Sequence, residues 1–141
     1  MADPRAVNSF ELGPKPHEIA TFVHDNTIVY NAALAGGAAQ VGLAVSVESD
    51  NLITLVGSGE NVLGKLLKVE SDGFCSVQHS GFMTLPGGAS ATLTAGLHIV
   101  GDLGGESTTA EGYIQAASTE DTVSRGMIID SSTAAATVVL L

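Results

Sequence analysis

The chain has 141 residues, with fifteen acids against five bases for a formal charge of −10, no tryptophan and 4 % aromatic residues. That length fits one domain with room for an arm. The charge repels phosphate backbones and anionic lipid surfaces, so the expected partners include neither nucleic acid nor membrane. It suits solubility instead.

The apolar residues are mostly Ala, Val and Leu, and seventeen glycines are spread along the chain. Small side chains between many turns point to a thin core, as between two close sheets or inside a small barrel. Cys75 is the single cysteine. No intrachain disulfide can form, and a buried structural thiol is the expected reading. No apolar run approaches the length of a membrane-spanning helix, and no signal-peptide core opens the chain. Synthesis and residence in a reducing cytoplasm are expected, at least until assembly.

In chain order, residues 1–18 read as an extended N-terminal arm and 19–141 as the β domain. Pro4, Pro14 and Pro16 restrict φ and remove amide donors, while Val7, Phe10 and Leu12 are too sparse for a helix face. Two readings stand side by side: a loose tail, or an arm that orders against a partner. Strands are expected at Ile19–Val23 and Thr27–Tyr30, then a loop over Asn31–Ala39. From Val41 to Val47, large and small residues alternate with period two, the mark of a strand. The chain turns at Glu48–Asn51, returns through Leu52–Val56, and turns again at Gly57–Asn61.

Val62–Leu85 is the organising stretch. Two apolar-rich runs flank Ser71-Asp72-Gly73, a strong hairpin signal. Leu63, Leu67 and Val69 are expected on one face of the first run, and Leu66 on the other with Lys68 and Glu70. Cys75 and Val77 alternate with Ser76 and Gln78 in the second. A third short strand ends at Leu85, before Pro86-Gly87-Gly88. Further strands are expected at Thr92–Leu93, at Leu97–Val100 closed by Gly101-Asp102, and at Gly112–Ala116. Leu103–Glu111 reads as loop and Ala117–Ser124 as polar and exposed. Arg125–Ile129 and Thr137–Leu141 complete the set. About nine short strands with regular turns predict an all-β, single-domain sandwich or small barrel. The terminal Val138, Val139, Leu140 and Leu141 form an apolar strand that must pair internally or be covered by a second subunit, so they are the candidate oligomer interface.

Catalytic patterns do not emerge. His17, His24, His79 and His98 are scattered without metal-ligand spacing, and no GxSxG or phosphate loop is present. Glu48, Asp50 and Glu60 surround two adjacent turns but lack the spacing of a calcium loop. A lipoyl- or biotinyl-type carrier needs a lysine at the hairpin tip, where this chain has Ser71-Asp72-Gly73. No enzyme activity, cofactor or metal is therefore expected. What remains is a β module that works through its surfaces.

Gly36-Gly37, Val41-Gly42-Leu43-Ala44-Val45 and Gly59-Glu60-Asn61-Val62-Leu63-Gly64-Lys65 carry a family likeness. It continues through Val69-Glu70-Ser71-Asp72-Gly73, Val77-Gln78, Gly81-Phe82-Met83 and Arg125-Gly126-Met127-Ile128-Ile129-Asp130. In these residues, over about 36–141, the chain resembles the capsid decoration (cement, or head-stabilising) proteins of tailed bacteriophages. The resemblance implies a compact β body on the outer surface of the virion head, bound to the major capsid protein after expansion. It also implies a homotrimer at three-fold and quasi-three-fold positions, with N-terminal arms running onto the shell. Arg5, Phe10, Leu12, Pro14 and Pro16 are then the candidate capsid contacts: Phe10, Leu12 and the prolines give apolar contact at low entropic cost, and Arg5 meets an acidic patch. A rival reading is a receptor- or glycan-binding β module on a virion or cell surface. Such sites favour exposed aromatics, and this chain offers only Tyr30, Tyr113 and four phenylalanines.

Overall fold

The computed structural model describes residues 17–89, 92–104, 110–117, 124–131 and 135–140. The regular elements of the described chain are strands: β1 (His17–His24), β2 (Ala44–Ser49), β3 (Leu52–Leu55), β4 (Gly64–Val69), β5 (Phe74–Pro86), β6 (Ile99–Gly104), β7 (Ala110–Ala116), β8 (Gly126–Ser131) and β9 (Ala135–Leu140). A single 3-10 turn, Ala35–Gly37, is the one helical element among the described residues.

The choice between sandwich and barrel resolves to a barrel. The main sheet runs β1-β3-β2-β4-β5-β9-β8, and β1 also pairs with β5, so the first five strands of that order close on themselves. The register climbs around the ring. Ile19 lies opposite Gln78, Gln78 opposite Lys65, and Lys65 opposite Ala44. Val45 then lies opposite Leu55, two residues beyond the Ile53 that pairs with His24. This stagger is what a small closed barrel requires. Ile28, Val45, Ile53, Leu66, Val69, Cys75 and Val77 fill the inside.

β5 is the spine. Its first half, Phe74–Gln78, is a barrel stave held by β1 and β4. Its second half pairs with β9, from Gly81 opposite Leu140 to Pro86 opposite Ala135. β9 in turn pairs with β8. The separate hairpin β6–β7 packs on the inner face of this extension, where Ile99 and Ile114 meet Met83, Leu85, Ile128, Val138 and Leu140 in a second core. The apolar terminal strand thus pairs on both edges within the chain.

Several local expectations change. Thr27–Tyr30 is not a strand. Asp25 accepts hydrogen bonds from the main-chain nitrogen of Thr27 (3.0 Å) and from its hydroxyl, making an Asx turn. Thr27 Oγ1 then accepts from the Leu55 nitrogen at 3.1 Å, so a side chain takes the place of a strand at that edge. Thr92–Leu93 is likewise not a strand, whereas Gly101 and Asp102 continue β6 rather than closing it. The third strand of the central stretch is the far half of β5, because a bulge between Gln78 and Ser80 lets one strand change partners without a turn. Another bulge, between Leu66 and Lys68, brings Leu66 and Val69 to the interior together, against the simple alternation. β1 opens at His17, so the body takes in two residues of the stretch read as arm. Gly73 turns the β4–β5 hairpin at φ 89°, as the Asp-Gly signal predicts.

Candidate functional site

β1 begins where β5 changes partners. His17 lies opposite Gly81, and Gly81 also lies opposite Leu140 on the other edge. The next residue, Phe82, opens a transverse row. It lies opposite Val139, Val139 lies opposite Met127, and Met127 bridges His98. Strand alternation turns this row outward: Phe82 is 58 % exposed and Met127 37 %, while the next row, Met83–Val138–Ile128, is buried. His17, the first described residue, therefore lies beside an exposed apolar strip.

Of the residues expected at an oligomer interface, Val138 and Leu140 are spent on the chain's own core. Val139 is the outward member of the strand, and Leu141 lies outside the described residues. Arg5, Phe10, Leu12, Pro14 and Pro16 also lie outside them. Sequence reading missed Phe82 and Met127, although a period-two reading of Gly81–Leu85 and Gly126–Ile128 places both on the outer face.

A second feature flanks the barrel rim. β4 pairs with β2 only at Ala44 and Val45, and then the two diverge. Ser46, Val47, Gly59, Glu60, Asn61, Val62, Leu63 and Arg125 line the resulting groove of about 520 Å³. Glu60 folds onto its own turn, accepting hydrogen bonds from the Gly57 nitrogen at 2.8 Å and the Ser46 hydroxyl at 3.1 Å. Arg125 closes the other wall. Its guanidinium donates to the carbonyls of His79 (2.9 Å) and Leu63 (3.4 Å), filling the gap on the β5 edge between β4 and β9. Gln78, buried at the bulge, satisfies its amide by donating to the Ser80 and Phe82 carbonyls at 3.2 and 2.9 Å.

Cys75 is buried, its thiol donates to the Phe22 carbonyl at 3.5 Å, and burial pushes it from an ordinary 9.0 up to about 11. Such a thiol stays protonated and unreactive at neutral pH. Glu111 is also raised, first by desolvation and then by the nearby carboxylates of Glu60 and Asp25. Among the described residues no set of three His, Cys, Asp or Glu is placed to hold a metal ion. Glu48 and Asp50 are exposed at the β2–β3 turn, while Glu60 is engaged with Gly57 and Ser46.

Set against known protein families, curated proteins and solved structures, the chain matches none.

Proposed function

We propose that this protein is a capsid decoration protein: it binds the outer surface of an expanded phage head and ties capsomer junctions against internal DNA pressure. The observation that carries the reading is the root of the arm. A proline-bearing segment with Arg5, Phe10 and Leu12 enters a closed barrel at His17, paired to Gly81, next to the outward row Phe82–Val139–Met127. A rigid peg with a terminal strap needs no reactive centre. It needs shape, solubility and several weak contacts presented together.

The major capsid protein is the partner, and the working unit is a homotrimer. Three straps on one trimer engage in succession at high effective concentration, so modest contacts sum to tight binding. The Phe82–Val139–Met127 row is the subunit contact, since exposed apolar strips of this kind favour burial. Host synthesis in the bacterial cytoplasm precedes residence on the virion.

The test is co-sedimentation of the purified protein with expanded heads of its own phage, together with the temperature at which those heads release DNA. Binding with a raised release temperature is expected. Absence of binding overturns the reading. The arm's part is read separately: Phe10→Ser with Leu12→Ser is expected to weaken head binding at least tenfold while the barrel stays folded.

A further inference from the structure

Among the described residues, β2 has no pairing with β4 beyond Val45. Ala44 accepts a hydrogen bond from the Val56 nitrogen on the β3 side, and Val45 accepts one from the Leu63 nitrogen on the β4 side, at 3.1 and 2.7 Å. Main-chain groups alternate between the two edges, so those of Val47 face the β4 side again. There β4 has already diverged, and the groove opens in its place. Val47 is 57 % exposed and lines the groove together with the buried Val62 and half-buried Leu63.

We propose that the proline-free stretch Arg5–Gly13 of the same chain docks along this edge in the free protein, adding a strand beside β2 with Phe10 and Leu12 turned into the groove. Reach, pattern and charge support this occupant. His17 sits across β5 from the groove wall, since Arg125 holds the carbonyl of His79, two residues from Gly81. Three strand spacings, about 15 Å, then separate His17 from the Val47 edge. At about 3.3 Å per residue, four or five residues cross that distance, which delivers Leu12 and then Phe10 to the groove. Pro14 and Pro16 fall in the crossing, where no ladder donor is needed, and Arg5–Gly13 has none missing. Phe10 and Leu12 are two apart and share one face of a strand, leaving Glu11 to solvent. Asp3 and Glu11 balance Arg5 and Lys15, so the net charge of −10 belongs to the rest of the chain and does not repel the added strand.

The contact is an intramolecular parking place, and any partner that recruits the arm must displace it. It is independent of the capsid reading: the isolated protein carries it whether or not heads are bound.

The experiment uses the full-length chain with a spin label on Ser9→Cys, Cys75 being too buried to label under native conditions. Amide signals of Ser46, Val47 and Asn61 are expected to broaden selectively. The Val47 amide is also expected to exchange with solvent at least tenfold more slowly in the unlabelled chain than in the Phe10→Ser, Leu12→Ser variant. Broadening elsewhere or nowhere, or equal exchange rates, overturns the proposal. So does broadening that appears only when labelled and isotope-enriched copies are mixed, because the strand would then come from a second molecule. Loss of head binding with this contact intact counts against the capsid reading alone.

Discussion

A Cβ placed on Gly64 would lie 2.0 Å from the carbonyl oxygen of Gln78. The barrel is drawn tight where β4 enters beside β5, and only a hydrogen atom fits between the two backbones. Gly64→Ala should therefore cost about 2–3 kcal/mol of stability, the upper range for overpacking, because the obstacle is main chain rather than a mobile side-chain tip. Urea unfolding followed by circular dichroism measures it. A midpoint equal to wild type would mean that β4 does not lie in this register.

Arg125 braces the place where β5 passes from β4 to β9. Its two donors reach the carbonyls of His79 on β5 and of Leu63 just before β4. Arg125→Ala should lose about 1 kcal/mol, a figure kept low because the side chain is exposed. Arg125→Lys should lose nearly as much, since a single ammonium cannot reproduce the forked geometry. A lysine variant with full wild-type stability would show that charge, not the fork, is what counts.

Cys75 should resist alkylation by iodoacetamide at pH 8 in the native protein and react at once in urea. Its thiol is buried and raised from 9.0 to about 11. The folded form holds its proton more tightly than the unfolded form. The associated stability is complete below pH 9 and is lost as pH rises towards 11. Cys75→Ala should flatten that alkaline loss in a pH series of unfolding midpoints. Rapid native-state alkylation would contradict the burial.

Glu111 gives a second pH signature. Desolvation, then repulsion from Glu60 and Asp25, raises its carboxyl in the folded state. Protonated Glu111 is thus better tolerated folded than ionised Glu111. Its contribution to stability is full below the unfolded carboxylate pKa and is lost as pH climbs through the raised folded value. Glu111→Gln should be more stable than wild type at pH 7 and indistinguishable from it at pH 3. A destabilised glutamine variant at pH 7 would point to an ion pair in place of repulsion.

Much of the body was legible residue by residue. Asp72-Gly73 marked its hairpin because that turn is a local matter of φ and of one side chain. Cys75 and Val77 announced their inward face by alternation. Leu66 did not, because a bulge adds a residue to one strand only, and the partner that makes it a bulge lies elsewhere in the sequence. Thr27 misled for a related reason. Its β-branched neighbours suit a strand, but the Asp25 carboxylate captured its backbone first.

The candidate surfaces divide in the same way. Proline placement and the spacing of Phe10 and Leu12 are properties of the chain as written, and so are its charge and the small residues of its core. Period-two patterning settled that strands would dominate, since each residue's preference acts over a few bonds. Closure of five strands into a ring, the change of partners along β5, and the burial of Val138 and Leu140 with Val139 left outside came from pairings between residues far apart in sequence. Those pairings depend on which edges meet and in what register, and no local stretch of sequence carries that information.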